Sequence, residues 1–179
     1  MPLGEDTDEG LYRRVRQRGD MRAFAKLYGR YERRLLGFIL SYLPARAEAE
    51  EVFHDAFVAV LGGRELTLAP GGFAAWLHKV ARNLALNRRR GGARAAQAQL
   101  QQPEVAAPPS AEEVLVEAQR TRALAESVAS LPPGLAELYR LRASGLSLEQ
   151  IASALDVPVG TVKSRTHELV TRLRRMTHE

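Results

Sequence analysis

The stretch from Leu146 to Met176 constrains the fold of this chain most, because it predicts two helices joined by a tight turn. Four apolar residues lie at i, i+3, i+4 and i+7, a spacing that places them on one side of a helix. They are Leu148, Ile151, Ala152 and Leu155. Ser147 and Gln150 can open this helix as a capping box. Pro158 and Gly160 then predict its end, since proline disfavours helical geometry at the preceding residue and glycine accepts backbone angles that other residues resist.

The second predicted helix separates apolar from basic and polar residues. Thr161 can cap it. One side carries Val162, Leu169, Leu173 and Met176, and the opposite side carries Lys163, Ser164, His167, Thr171 and Arg174. Short polar and basic side chains near the start of such a second helix are typical of a DNA-reading helix-turn-helix. A helical hairpin with a solvated outer face is the alternative, and the turn chemistry and face composition favour DNA.

Charge and composition narrow the class of protein. A net charge of +5 favours a polyanionic partner, which could be nucleic acid or an acidic membrane. No apolar run reaches membrane-spanning length and the acidic N-terminus lacks a signal-peptide layout, so we expect no membrane insertion and a cytoplasmic location. The absence of cysteine excludes a disulfide, a thiolate zinc site and a thiol redox switch within the chain.

The first half of the chain also predicts helices. Leu11 and Val15 indicate a short helix that ends at Gly19, and Asp20 can cap a longer one that runs to about Leu43. The apolar stripe of the longer helix comprises Phe24, Leu27, Tyr28, Tyr31, Leu35, Phe38, Ile39 and Tyr42. We interpret these aromatic residues as core residues rather than as a platform for stacking bases.

A third helix is predicted from Glu48 to Leu61. Its inner side carries Val52, Phe53, Ala56, Phe57 and Val60, and its outer side carries Glu51, His54, Asp55 and Val58. This mixed acidic and apolar outer side could be solvated or could dock a partner. Composition alone favours the solvated interpretation.

A fourth helix follows a loop from Gly62 to Gly72. Its apolar stripe comprises Phe73, Trp76, Leu77, Val80 and Leu84. Across from that stripe lie His78, Lys79, Arg82 and Arg89, followed by Arg88, Arg90 and Arg94. Arginine forks match phosphate oxygens, so this side is suited to contact nucleic acid. A merely solvated face is less favoured, because no acidic residue occurs between Leu66 and Gln102.

The sequence predicts an all-α fold of two small helical domains joined by a flexible linker. Residues 91–110 are rich in Gly, Ala, Gln and Pro, a composition typical of linkers. Ser110 and Glu113 can cap a following helix, and Leu135 begins another. We place the domains at residues 8–94 and 113–179 and the linker at 95–112. No strand pattern competes with the helices.

Two segments carry a resemblance to a known family. Residues 73–85 (FAAWLHKVARNLA) resemble the second conserved region of extracytoplasmic-function sigma factors of the sigma-70 family. Residues 145–152 (GLSLEQIA) and 158–165 (PVGTVKSR) resemble their fourth region. The order of these motifs and the tether between them are similar to the minimal two-domain members.

The resemblance implies an RNA polymerase sigma factor that binds the core enzyme and directs promoter-specific initiation. The implied partners are promoter DNA, the clamp and flap of the large core subunits, and an anti-sigma factor. The implied clamp-docking residues are Glu51, His54, Asp55 and Val58. The implied contacts to the start-proximal promoter element are Leu66, Leu68, His78, Lys79, Arg82, Asn83, Asn87, Arg88 and Arg89. The implied contacts to the upstream element are Thr161, Lys163, Ser164, Arg165, His167 and Thr171.

Catalysis has little support in the sequence. It contains no phosphate-cradling glycine loop with lysine, no histidine pair at metal-binding spacing and no nucleophile-elbow serine. We therefore expect no enzymatic activity, no metal and no cofactor. A DNA-modifying enzyme would need a catalytic cluster in the first domain. A stand-alone helix-turn-helix regulator is the other alternative; it would bind promoter duplex without core polymerase but would leave the basic fourth helix unexplained.

Overall fold

The computed structural model describes residues 6–62, 66–98, 128 and 130–177, without the side chains of 93–98, 176 and 177. These residues form seven helices and no strand, which confirms the all-α prediction. The helices are α1 (Asp8–Arg18), α2 (Met21–Leu40), α3 (Arg46–Leu61), α4 (Gly72–Ala98), α5 (Pro133–Ala143), α6 (Leu148–Leu155) and α7 (Val159–Thr177).

The break between the first two helices lies where Gly19 and Asp20 predict it, but α2 ends at Leu40, three residues before the predicted end near Leu43. Gly19 ends α1 in the left-handed conformation, at φ 61°, which glycine adopts at little cost. The Asp20 carboxylate then accepts hydrogen bonds from the backbone N–H groups of Arg22 and Ala23, both at 3.0 Å. These bonds satisfy donors that have no partner within the first turn of α2.

The N-terminal domain packs α1 to α4 around an aromatic and aliphatic core. Leu27, Leu35 and Ile39 of α2 are fully buried. Phe53 and Phe57 of α3 pack on the same helix and belong to a network of tilted and edge-to-face ring contacts. The interpretation of the α2 aromatic residues as core residues is confirmed, although Phe24 and Tyr28 are only partly buried.

The C-terminal domain packs α5, α6 and α7 around a smaller core. Leu138, Leu141, Ile151 and Val162 are almost completely buried. The predicted capping box of α6 is present: the Gln150 N–H donates to the Ser147 hydroxyl at 3.2 Å, and the Ser147 N–H donates to the Gln150 side chain at 2.8 Å.

The fourth helix is longer than the sequence predicts. It continues through Gly91 and Gly92 to Ala98, whereas we placed the start of the linker at residue 95. Each glycine costs a helix about 1 kcal/mol relative to alanine, but the flanking arginine, alanine and glutamine residues are strong helix formers. The predicted helix beginning near Ser110 and most of the predicted linker lie outside the described residues.

The two domains contact each other. Helix α4 of the N-terminal domain packs against α6, and α2 touches α5. The turn before α6 also joins this interface, since Leu146 is buried and Ser144 reaches α4. We call this contact the domain interface.

Candidate nucleic-acid interface

Helix α7 presents a polar and basic side to solvent. Val162 and Leu169 face the domain core, and this fixes the direction of the opposite side. We call the predicted contacts to the upstream element the α7 outer face: Thr161, Lys163, Ser164, Arg165, His167 and Thr171. Arg165 lies beside this side and next to Gly134 of α5. Lys163, Ser164 and His167 are exposed, and the other three are partly buried.

The turn before α7 differs in detail from the prediction. The residue in the left-handed conformation is Asp156, at φ 54°, and not Gly160, which lies within α7. Aspartate is among the few residues other than glycine that tolerate this region. The helix also begins two residues before Thr161, which therefore does not cap it. The N–H groups of Thr161 and Val162 instead donate to the Pro158 carbonyl.

Helix α4 carries basic and amide side chains in two different environments. We call its predicted DNA contacts, His78, Lys79, Arg82, Asn83, Asn87, Arg88 and Arg89, the α4 face. Its later part is open, since Asn83, Asn87, Arg88 and Arg89 are exposed. Its earlier part lies at the domain interface. The sequence alone shows no difference between the two parts.

His78 does not lie on an exposed face, and that expectation is wrong. The residue is 1% exposed and is enclosed by both domains. Its Nδ1 lies 2.8 Å from the Ala74 carbonyl, and its Nε2 lies 2.6 Å from the Ser144 hydroxyl. Since a carbonyl only accepts, Nδ1 carries the proton and Nε2 accepts from Ser144. Burial lowers the pKa of His78 to about 4, and the nearby Arg34 also lowers it.

Arg82 and Lys79 are paired with carboxylates of the other domain. The Arg82 Nε and Nη2 atoms lie 2.6 and 2.5 Å from Oε2 of Glu137 in α5. The Lys79 Nζ atom lies 2.6 Å from Oδ2 of Asp156 in the helix-turn-helix. The hydrogen bond to Glu137 raises the pKa of Arg82 and keeps it charged. The sequence could not identify these partners, because each carboxylate lies more than fifty residues along the chain from the arginine or lysine with which it pairs.

The loop before α4 packs against the N-terminal domain. Leu66 and Leu68 are partly buried, and the Leu66 N–H donates to the Tyr12 hydroxyl at 3.4 Å. The buried Glu9 carboxylate accepts from the Phe73 N–H at 3.1 Å and so satisfies a free donor in the first turn of α4. Residues 63–65 of this loop lie outside the described residues.

The outer side of α3 is open to solvent, as the sequence predicts. We call Glu51, His54, Asp55 and Val58 the α3 face; all four are exposed, and Val58 is 63% exposed. Leu61, which is 45% exposed, extends its apolar surface. Glu51 forms an ion pair with Arg88 of α4, and the His54 ring stacks on Tyr28. The α3 face is therefore partly ordered by neighbouring side chains.

Within residues 6–62, 66–98, 128 and 130–177, no group of three or more histidine, cysteine or acidic side chains is placed to hold a metal ion. No helix in this part of the chain combines the length and apolar character needed to cross a membrane.

Both domains match known protein families. Residues 27–95 match the family Sigma-70 region 2, and residues 121–173 match Sigma-70, region 4. The RNA polymerase sigma-H factor of Pseudomonas aeruginosa is 30% identical over 174 residues, which cover 91% of this chain and 90% of the relative. The chain belongs to the sigma-70 family.

Further relatives identify the group within the family. The ECF RNA polymerase sigma-E factor of Haemophilus influenzae is 29% identical, over 89% of each chain. The sigma-E factor of Escherichia coli K12 is also 29% identical, over 89% of this chain and 88% of the relative. This protein is thus an extracytoplasmic-function sigma factor, which binds core RNA polymerase and directs promoter-specific transcription initiation.

A solved structure has the same fold as this sigma factor. It contains CnrH in complex with the cytosolic domain of CnrY, and it matches with a TM-score of 0.70 and 21% sequence identity. The match covers 97% of this chain and 98% of that one. The all-α architecture of two sigma domains is therefore shared between the two proteins.

Proposed function

We propose that this sigma factor reads a two-part promoter with the α7 outer face and the α4 face. The observation that supports this proposal is the exposed side of α7. Lys163, Ser164 and His167 point away from the domain core near the start of the second helix of a helix-turn-helix, where such domains enter the major groove. Their amine, hydroxyl and imidazole groups can hydrogen-bond to base edges.

The α4 face without the buried His78, together with Leu66 and Leu68 of the loop before it, contacts the start-proximal element in this proposal. Arginine and asparagine side chains along one exposed helix can contact the phosphates and bases of DNA strands as they separate. Extracting a base from its stack costs a few kcal/mol, so a protein pocket must stabilise the extracted base. The two partly buried leucines, of which Leu66 lies beside Tyr12, provide an apolar border for such a pocket.

The α3 face docks on the clamp of core RNA polymerase in this proposal. A half-apolar helix surface with acidic residues around it suits a partner helix that combines apolar and basic side chains. The flap of the core enzyme would hold the C-terminal domain. Docking explains why Val58 and Leu61 remain exposed beside a well-packed core.

The assignment as a sigma factor also suggests how the protein is regulated and where in the cell it acts. The structural relative CnrH is bound to the cytosolic domain of CnrY, and we extend this to an anti-sigma partner for the present protein. We place the protein in the cytoplasm with core polymerase. It acts as a transcription initiation factor without an activity, metal or cofactor of its own, and the core enzyme performs the chemistry of RNA synthesis.

Matched protein and promoter changes test the two DNA-reading faces. Output from the intact promoter is compared with output from promoters in which either element is scrambled, using core polymerase and each variant. Lys163→Ala/His167→Ala should reduce the preference for the intact upstream element about tenfold, because a good base contact contributes about 1–3 kcal/mol. Arg82→Ala/Asn83→Ala should reduce only the preference for the start-proximal element.

Arg172→Ala is the control for the α7 variant. Arg172 is exposed and basic on the same helix but pairs with Glu168, outside the α7 outer face. We expect it to keep both preferences. Loss of activity without any change in the preference for either element would contradict the assignment of these residues to base recognition.

A further inference from the structure

Three polar side chains on one side of α1 reach the loop before α4. They are Glu9, Tyr12 and Arg16, and their spacing of i, i+3 and i+7 places them in a row along the helix. We call them the α1 row. Each of them bonds to a backbone group of the loop or of a helix end beside it. The row therefore connects one short helix to one loop.

The α1 row holds the loop at its beginning, in its middle and at its end. The Arg16 guanidinium donates to the Leu61 carbonyl, at the end of α3. The Tyr12 hydroxyl accepts from the Leu66 N–H at 3.4 Å, and Glu9 accepts from an N–H of the first turn of α4 at 3.1 Å. Because Glu9 and Tyr12 are only 6% and 3% exposed, water competes little for these two bonds.

Helix α1 is itself fixed to α2 at both ends. Near its start, the Asp8 carboxylate accepts from Nη1 of Arg30 at 2.7 Å and from the Tyr31 hydroxyl at 2.6 Å. Near its end, Nε and Nη2 of Arg14 donate to the Asp20 carboxylate at 2.9 and 2.7 Å. A helix that is held in this way can transmit the position of the domain core to the loop.

The last part of the loop is fixed by its own turn. The Gly72 N–H donates to the Ala69 carbonyl at 2.8 Å, with Pro70 and Gly71 between them and Gly71 at φ 76°. Proline followed by a glycine with positive φ is the pattern of a type II turn. Leu68 lies against the start of α4, since a Cβ on Gly72 would be 3.5 Å from its own Cβ. The earlier part of the loop depends instead on α1.

We propose that α1 is a positioning element for recognition of the start-proximal promoter element. The α1 row fixes the loop so that Leu66 and Leu68 border the pocket for an extracted base, and α1 acts through the loop without touching DNA. The segment that matches Sigma-70 region 2 begins at residue 27, so this determinant of specificity lies before it. The proposal rests on the proposed contact of the two leucines with this element.

Loop positioning affects base preference in particular. A loop that already holds its binding conformation loses less entropy when DNA binds. This advantage applies to the base that the loop contacts and not to the other positions of the promoter. Weakening the α1 row should therefore reduce discrimination at that base, whereas general damage to the domain would lower transcription from every sequence alike.

Amide hydrogen exchange in the full-length protein, followed by NMR, tests the positioning itself. Tyr12→Phe removes one hydroxyl and keeps the ring that packs on Phe73 and Trp76. We expect the Leu66 amide to exchange about tenfold faster in this variant, while amides in the buried part of α2 keep their rates. An unchanged rate at Leu66 would show that Tyr12 does not hold the loop, and it would overturn the proposal.

Transcription from a library that varies each base of the start-proximal element tests the effect on recognition. With core polymerase, Leu66→Ala/Leu68→Ala identifies the base that the loop contacts. Tyr12→Phe/Arg16→Met should reduce the preference at that same base about threefold and leave the preference for the upstream element unchanged. If this double variant fails to fold, Tyr12→Phe alone gives the same test with a smaller expected shift.

Arg13→Met/Tyr139→Phe is the control, because it removes the same atoms from an exposed arginine of α1 and from a tyrosine of α5. It should keep the wild-type preferences. Equal preferences in the α1 variant and the control, or a uniform loss at every base, overturn the positioning role while the effect of the leucine variant remains. If the leucine variant changes no preference, the proposed DNA contact of the loop is wrong, and the positioning role fails with it.

Discussion

Phe73→Ala is expected to lower the free energy of unfolding of the N-terminal domain by about 3–5 kcal/mol. Phe73 is 0% exposed, and its ring lies 5.4–5.9 Å from the rings of Tyr12, Tyr31 and Trp76. Alanine would leave a cavity where α1, α2 and α4 meet. Urea unfolding followed by fluorescence of Trp76, the only tryptophan of the chain, measures the loss.

Met21→Ala is the control for this substitution. Met21 also lies in the N-terminal domain, at the start of α2, but it is 57% exposed. Its truncation should therefore change the free energy of unfolding by no more than about 0.5 kcal/mol. A loss below about 1 kcal/mol for Phe73→Ala would contradict the packing of α4 against α1 and α2.

Acidification should destabilise the closed structure through His78. Its pKa is about 4 in the closed structure and about 6.5 when the side chain is hydrated. Between these values the hydrated imidazole binds a proton that the buried one excludes, so stability falls as the pH falls through this window. The loss approaches about 1.4 kcal/mol per pH unit within this window and amounts to about 1.6 kcal/mol between pH 6.5 and pH 5.

Comparison with His78→Gln isolates this contribution from that of the carboxylates. Trp76 fluorescence reports unfolding, and the distance between fluorescent labels at Arg33→Cys on α2 and Ser153→Cys on α6 reports domain opening. His78 becomes hydrated in either event. The wild-type protein should lose closure or stability more steeply than the variant as the pH falls below 6.5. Parallel pH profiles would contradict the burial of a neutral His78 between the domains.

The sequence was sufficient to predict the helices and most of their boundaries, because these depend on local chemistry. The Gly19–Asp20 pair separates α1 from α2 through backbone conformation and capping alone. Ser147 and Gln150 likewise cap α6 within four residues. Apolar spacing also gave the direction of the α7 outer face and the α3 face, since a helix with one buried side must expose the other.

Contacts between the domains could not be predicted, because no local pattern encodes them. His78 is aligned with basic residues on a helical wheel, yet the second domain covers it with Ser144 and the residues around it. Lys79 and Arg82 are indistinguishable from Arg88 and Arg89 in sequence, but among the described residues only the first two meet carboxylates of the other domain. Glu137 lies in α5 and Asp156 lies in the turn before α7. An acidic residue is common at such positions, so neither residue indicates in the sequence that it contacts α4.

Mapping of transcription start sites tests the proposed promoter-reading roles most directly. Purified core RNA polymerase transcribes a genomic promoter library with the wild-type protein, with Arg82→Ala/Asn83→Ala, with Lys163→Ala/His167→Ala, or alone. We predict new start sites that share a two-part upstream motif, with one part losing its influence in each variant. New start sites without a shared motif, or the same motif preferences in both variants as in the wild type, would contradict the assignment.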